Sequence, residues 1–401
     1  MRKLSVRRGL VGLLAVIVPA VLAISASAQG GLVLTDLQGP RGLSTDGSYL
    51  YIAELASGNI LRVSQEGSVG VIVSGLPSVI ADSPEGPLPT GPSAAISVGD
   101  KFFVAVGEAR GVAGFDSIYS VTPGQPPVLF ADLLAYEQAN NVDGDVDMAG
   151  EPELLINAYD LVSDNAGGLY VSASGANAIL HVAADGTITP FAIFPNRPNP
   201  LFPAIGGPTM DQVPTGLEWG PDGALYVSTL TGFPFPNGEA LVYRMVDTDG
   251  DGDALEDGET TVYASGLSVA TNIAFDSDGS LLVTEFSTNM LEQAPGRLVR
   301  VVNGEISEVV AAPLVSPTGV TVFNGEIIVA QEFVGIVAEA GAGAAIIASM
   351  PPPSEGGAIT PPSTGDAGLA GSAASSTSLL LAAGLIAGAV GGTRAFVSVC
   401  R

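Results

Sequence analysis

Asp247-Thr248-Asp249-Gly250-Asp251-Gly252-Asp253 is the densest run of metal-ligating side chains in this sequence. Carboxylates at positions one, three and five with glycine at six follow the first half of an EF-hand-like calcium loop, because Ca²⁺ takes hard oxygen donors held close by a sharp glycine turn. Position twelve, where a bidentate glutamate belongs, is Gly258, with Glu256, Asp257 and Glu259 nearby to replace it. The expected ligand set is Asp247, Asp249, Asp251, Asp253 and Glu259 around a structural Ca²⁺; an acidic solvated hairpin is the competing reading. A second cluster, Asn141, Asp143, Asp145, Asp147, Glu151 and Glu153, also has calcium-like spacing, although Met148 stands where the turn glycine belongs. A charged loop without metal is its alternative.

Other chemistry is limited by composition. His181 is the single histidine, which excludes multi-histidine zinc sites and argues against a Ser-His-Asp triad. Cys400 is the single cysteine, so no disulfide forms within the chain. Residues 29–393 hold 8 basic side chains against all 41 acidic ones, a formal charge of −33. Such a surface repels phosphate and argues against nucleic-acid binding, while it suits cations and keeps an exported protein soluble.

The elements that must position these groups come from a repeat. Six units begin at Pro40, Pro92, Ala158, Pro214, Ala270 and Pro317, in steps of 52, 66, 56, 56 and 47 residues. Each start is followed by a turn such as Asp46-Gly47, Asp222-Gly223 or Asn324-Gly325, then by a second strand of the type LYIAE, LYVSA, LYVST or LLVTE. Alternating apolar and polar residues around Asp/Asn-Gly turns read as hairpins. Units of about 50 residues with up to four strands make an all-β, six-bladed β-propeller. The last unit is short of an outer strand, and Leu32–Leu37 (LVLTDL), which precedes the first, is expected to complete it and hide a sheet edge.

That layout sorts the loops. The Asp-Gly turns share one face with the Asp247–Asp253 hairpin. The long insertions 77–91, 134–157, 195–213, 230–239 and 286–296 fall on the other, which is the expected binding face. Its ligand candidates are Asn141, Asp143 and Asp145, together with Phe233 and Phe235, which Pro234 and Pro236 hold as apolar contacts. A metal-dependent propeller enzyme gathers ligands around its axis. The residues closing the second strands are Glu54, Val106, Ala173, Thr229, Glu285 and Gln331, which form no metal ring, although Glu54 and Glu285 facing one another would be a start. His181 reads as a blade-surface residue and Trp219 as core.

The stretches VPTGLEWGPDGALYVSTLTGFPFPNG (213–238) and INAYDLVSDNAGGLYVSASGANAILHV (156–182) resemble the ScyD/ScyE family of exported propellers and, more loosely, NHL-repeat and gluconolactonase-like propellers. The resemblance covers residues 32–350. It implies a propeller fold and export, and it supplies no catalytic residue.

The ends concern location. A basic start, an apolar run from Gly9 to Ile24 and Ala26-Ser27-Ala28 read as a signal peptide over 1–28, cut before Gln29. The propeller is expected over 29–350, followed by a Pro/Gly/Ser-rich linker over 351–377 and a hydrophobic tail over 378–401. The tail reads as a retained membrane anchor or, since Pro361-Pro362-Ser363-Thr364-Gly365 resembles an LPxTG signal, as a cell-wall sorting tail. The expectation is thus a monomeric propeller on the outer face of the membrane or cell wall, binding a surface ligand or protein. The alternatives are a metal-dependent hydrolase or lactonase, and a structural surface protein stiffened by calcium.

Overall fold

The computed structural model describes residues 33–83, 86–107, 109, 111–146, 150–331 and 343–348. The expected signal peptide, linker and tail lie outside them. Strand β1 (Val33–Leu37) comes first, and blade one follows as β2 (Pro40–Thr45), β3 (Tyr49–Glu54), β4 (Asn59–Ser64) and β5 (Val69–Val73). A ribbon of β6 (Val79–Ser83) and β7 (Gly86–Thr90) leads to blade two: β8 (Pro92–Val98), β9 (Lys101–Val106), β10 (Ser117–Val121) and β11 (Val128–Asp132). Helix α1 (Leu133–Asn140) precedes blade three: β12 (Ala158–Ser163), β13 (Leu169–Ala173), β14 (Ala178–Val182) and β15 (Ile188–Ile193). A second ribbon, β16 (Arg197–Pro198) with β17 (Thr209–Met210), precedes blade four: β18 (Pro214–Trp219), β19 (Leu225–Thr229), β20 (Ala240–Met245) and β21 (Thr260–Leu267). Blade five is β22 (Ala270–Phe275), β23 (Leu281–Glu285), β24 (Gly296–Val302) and β25 (Glu305–Leu314). The last strands are β26 (Pro317–Phe323), β27 (Glu326–Gln331) and β28 (Gly343–Ala348).

Five blades are therefore built from four consecutive strands each, one fewer than the six repeats. The sixth repeat supplies only three strands to a composite sheet ordered β1–β28–β27–β26, in which β1 pairs antiparallel with β28. Apolar clusters fill the space between neighbouring sheets. Phe103 and Ile118 of blade two meet Leu161 and Val171 of blade three, and Leu34 and Ile328 of the composite sheet meet Ile52 and Leu61 of blade one. The composite sheet also packs on blade five, through Val320 and Val329 against Leu282 and Leu298. The all-β propeller is thus a ring of sheets.

What holds the ring at its axis can be read from the first three residues of each innermost strand. In four of the six sheets the second residue donates its hydroxyl to the first carbonyl of the next sheet; in blade one it is Arg41. Thr215 Oγ1 reaches Ala270 O at 3.0 Å, Thr271 reaches Pro317 O at 2.9 Å, Thr318 reaches Pro40 O at 3.1 Å and Ser93 reaches Ala158 O at 2.6 Å. In blade three the second residue is Tyr159, and Ser174 makes the bond to Pro214 O instead, at 2.5 Å. The third residue is glycine in several blades because neighbouring backbones touch there. A Cβ on Gly216 would lie 2.6 Å from Asn272 Cα and 2.8 Å from Ile273 N.

Two long insertions hold more structure than their composition suggested. Residues 134–157 begin inside a helix, since Asp132 caps it by accepting from Ala135 N at 2.9 Å and Leu133, Leu134 and Ala135 favour helix. Residues 77–91 form the β6–β7 ribbon. All the long insertions lie on links between sheets or between second and third strands, on one face as expected. Among the described residues no helix is long and apolar enough to cross a membrane.

Backbone contact at Gly216 leaves no room for a side chain, so Gly216→Ala is expected to cost about 3 kcal/mol. Gly223, at a turn with positive φ and open space around it, should cost only about 1 kcal/mol as alanine. Urea unfolding of both variants, followed by circular dichroism, checks the ordering; equal losses would refute the close-packed axis.

Candidate metal centre and long-loop face

Strands β20 and β21 of blade four are joined by residues 246–259, on the face opposite the long loops. Asp247 starts the turn: its two carboxylate oxygens accept from Gly250 N at 2.6 Å and Gly252 N at 3.0 Å. Gly250 and Gly252 have φ of 84° and 105°, conformations that suit glycine. The turn brings three trios of carboxylates together, with ligand atoms all within 4.8 Å of one another: Asp247–Asp249–Asp251, Asp249–Glu256–Glu259 and Asp251–Asp253–Glu256. All five ligands expected from the sequence are gathered, and Glu256, considered only as a replacement, belongs to two of the trios.

Glu259 stands one residue beyond the twelfth position and in one trio with Asp249 and Glu256. One oxygen accepts from Thr248 N at 2.7 Å and Thr248 Oγ1 at 2.6 Å, which holds its carboxyl below the usual range. The other oxygen is covered by the loop and has no hydrogen-bond partner, and the whole residue is 3% exposed. Little protein surrounds the loop itself, so what shields Glu259 is its own hairpin. Proximity to Glu259 pushes the Glu256 carboxyl up. The donor set, all oxygen, irregular and richly anionic, fits Ca²⁺.

The long-loop face gathers a second set from three separate segments. Asp143 and Asp145 come from the link between blades two and three, Asn177 from the turn after β13, and Asn196 and Asp211 from the link to blade four. Asn177 Nδ2 donates to Asp143 Oδ2 at 3.0 Å and Asn196 Nδ2 to Asp145 Oδ1 at 3.3 Å. Asn177 Oδ1 in turn accepts from Val213 N at 3.1 Å, which ties this cluster to the start of β18. Burial, with the charges of Asp145, Glu153 and Asp143, pushes the Asp211 carboxyl up to about 7. Burial and the charge of Asp143 do the same to Glu137 on α1, also to about 7, against the pull of its bond to Val142 N. Of the sequence candidates, Asn141, Asp143 and Asp145 all belong to this network of hydrogen bonds. Asp211, Asn177, Asn196 and Glu137 were missed, since no local spacing connects them. Asp147 lies outside the described residues.

Three sequence candidates have other tasks. Glu54, 2% exposed, accepts from Gln38 N at 2.8 Å and from Ser57 Oγ at 2.7 Å. Glu285, fully buried, accepts from Ser268 N at 2.6 Å and pairs with Arg297. Gln331 accepts from Val315 N in the same way. Residues closing second strands therefore tie down the link two residues before an innermost strand, and Glu54 and Glu285 are not the seed of a channel metal. Phe235, 2% exposed, is corrected from an apolar contact to a core residue: it packs with Val213, Leu230, Val269, Phe286 and Met290 beneath the loops. Phe233 lies half-buried against the same cluster.

The channel holds charged groups that strand periodicity did not single out. Asp160 Oδ2 accepts from Leu217 N and from Asn272 Nδ2, both at 3.0 Å, while Asn272 Oδ1 accepts from Val320 N at 3.1 Å. These bonds carry a chain of contacts from blade three past blade four to the composite sheet. The Arg41 guanidinium lies 4.8 Å from the Tyr159 ring centroid. Water touches Asp160 and Glu218, yet protein surrounds both. Burial pushes Asp160 to about 6 against the bonds it accepts, and burial with the charge of Asp160 pushes Glu218 to about 7. His181 pairs with Asp164 at 2.9 Å and stacks on Tyr170, and Trp219 Nε1 donates to Ser163 O at 2.8 Å, so both are structural.

The fold and these sites define a β-propeller with an acidic hairpin on one face and an acidic, loop-built surface on the other. No protein-family profile and no curated protein matches the chain. Among solved structures it is similar to virginiamycin B lyase from Staphylococcus aureus, 14% identical, covering 76% of this chain and 82% of that one, TM-score 0.44. It is similar to regucalcin from Agrobacterium tumefaciens, described as a calcium-binding protein, at 13% identity, with 78% and 90% covered and a TM-score of 0.48. A gluconolactonase from Xanthomonas campestris is 13% identical, with 81% and 93% covered and a TM-score of 0.46. Likeness at this level does not extend to individual residues.

The folded-state pKa of Glu218 is raised above the usual 4.5, so the folded protein holds a proton that the unfolded chain releases. Its stabilising effect is whole below about pH 4.5 and is lost as pH rises through about 7. Glu218→Gln is therefore expected to be nearly neutral at pH 5 and to stabilise by about 1–3 kcal/mol at pH 8. Urea unfolding at both pH values measures this; a loss of stability at pH 8 would contradict it.

Proposed function

We propose that this chain is an exported propeller tethered at the cell surface, of the ScyD/ScyE kind, that binds a surface partner through its long-loop face and carries a structural Ca²⁺ in the blade-four hairpin. The observation that carries the binding role is where apolar side chains meet water. Ile80, Val112, Val146, Phe202 and Leu291, between 41% and 57% exposed, all stand on links or second-to-third-strand loops of that face. Exposed large apolar groups rimmed by polar ones mark interaction surfaces. Beside Leu291 the loop core around Phe235 includes Met290, and beside Ile80 a smaller one around Phe115 includes Val79, so loop backbone on this face is anchored at both places. Export and tethering rest on the basic–apolar–small pattern of residues 1–28 and on the linker and apolar tail over 351–401. A monomer is expected, since the first and last described strands are paired within one sheet.

Envelopes of cells lacking the protein test the binding role. Purified full-length chain is expected to bind them saturably, and Phe202→Ser/Leu291→Ser to bind about tenfold more weakly at unchanged Tm. The opposite-face variant Leu255→Ser should bind like wild type; if it lost as much, the long-loop face would not be the binding face.

Hydrolase chemistry of the lactonase type is the second reading, favoured by the two channel acids Asp160 and Glu218 with pKa near 6 and 7. It expects turnover of gluconolactone with an added divalent metal that Glu218→Gln abolishes. The binding reading expects the buffer rate with both proteins.

Calcium in blade four has its own measurement. Binding to the native state stabilises by RT ln(1 + [L]/Kd), about 2.7 kcal/mol at a hundredfold excess over Kd. CaCl₂ should raise the Tm of the wild type, and Asp249→Asn/Asp251→Asn should lose most of that rise. An undiminished rise in the variant would remove the ion from this hairpin.

A further inference from the structure

The C-terminal turn of α1 is electrostatically wrong for a metal-free protein. Glu137 occupies the last turn of the helix, where unsatisfied carbonyls make the helix end negative and an anion is unfavourable. No basic residue stands in that turn. Glu137 is fully buried; Oε2 accepts from Val142 N at 3.2 Å, and Oε1 has no hydrogen-bond partner. The bond to Val142, between Asn141 and Asp143, sets this carboxylate under the loop that leaves the helix. Asn141 caps the helix at φ 44°, with its N–H on Glu137 O. Its Nδ2 donates to Asp145 O at 3.4 Å, which folds the carboxamide inward, and its Oδ1 is a second buried oxygen without a partner. Asp143 follows directly on Val142, the residue whose N–H donates to Glu137 Oε2. A buried carboxyl oxygen without a partner, an inward carbonyl oxygen in the same condition, a neighbouring carboxylate and a negative helix end each cost free energy alone. One cation offsets all four.

We propose that Glu137 Oε1, Asn141 Oδ1 and the Asp143 carboxylate nucleate a second divalent-cation site, for Ca²⁺, at the C-terminus of α1. The donors are all oxygen, one of them a neutral carboxamide, on an irregular loop, which suits the flexible coordination of Ca²⁺ better than the strict octahedron of Mg²⁺. Asp145 and Asp211 flank it. The charge brought in would draw the blade two–three and three–four links together, so the site stiffens the surface assigned above to partner binding. The proposal deepens that reading, but ion stoichiometry measures it without any partner.

The experiment is calcium titration calorimetry on the full chain, with CaCl₂ alone as probe. The background is Asp249→Asn/Asp251→Asn, so that the blade-four hairpin does not contribute. About one equivalent is expected to remain, at free calcium up to about 5 mM, above the roughly 10⁻³ M limit of extracellular calcium modules. Adding Glu137→Gln/Asp143→Asn should abolish it. The isosteric Glu137→Gln, made in that same background, keeps the acceptor for Val142 N; in chelator it should melt no lower than the Asp249→Asn/Asp251→Asn protein while losing the calcium-induced rise that remains there. No binding in the Asp249→Asn/Asp251→Asn background, or binding that survives Glu137→Gln/Asp143→Asn in a protein with wild-type circular dichroism, would overturn the site. Either result leaves the envelope-binding measurement standing on its own.

Discussion

The rest of the molecule depends on backbones touching around the axis. Innermost strands approach so closely that only glycine fits at Gly216, and the residue before it must donate a hydroxyl to the next sheet. Each such bond contributes only about 1 kcal/mol net. Their value is geometric, because a bond from Thr318 to Pro40 fixes the distance between the last repeat and the first. With that distance set, side chains of neighbouring sheets interdigitate, and every interface around the ring gains an apolar cluster. The same closeness aims Asp160 and Asn272 across the axis, where they satisfy each other and two backbone N–H groups.

Charge is distributed by the same architecture. Basic residues are scarce, and the third strands use several of them locally. Arg244 pairs with Asp222, Arg300 with Asp276, and His181 takes the equivalent place beside Asp164. Each of these acids belongs to the hairpin between first and second strands, so the pairs recur at one height on the blades. The exposed pair Arg244–Asp222 is individually weak. Among the described residues, the basic side chains that form ion pairs do so with acids other than Asp247, Asp249, Asp251, Asp253, Glu137, Asp143 and Asp145. Those acids form the two places where we propose an inorganic cation.

Legibility followed sequence distance. The repeat starts, the Asp-Gly and Asn-Gly turns and the second strands could be located because each is a local pattern, and the hairpin from Asp247 to Glu259 because all its donors lie within one turn of chain. Even the β1–β28 pairing was foreseeable, since a propeller with one strand missing at its end and one spare at its start has a single economical solution. What escaped was whatever two or more segments make together. Glu54 and Glu285 looked like channel ligands because strand position says which end a residue occupies, not which backbone N–H lies beside it. Phe235 looked exposed because a Pro-rich loop suggests a surface, whereas Val269 and Phe286 from blade five close over it.

The sequence by itself determined an all-β propeller, the sorting of its loops onto two faces, and one hairpin that gathers its carboxylates, since periodicity, turn chemistry and residue spacing act within a few residues. Only the tertiary structure decided that Asp211 and Asn177 face Asp143 and Asp145, that Glu137 is buried beneath their loop, and that Asp160 and Glu218 share the channel. Those meetings are set by how the sheets stack around the axis, and residues far apart in the chain carry no local mark of being neighbours.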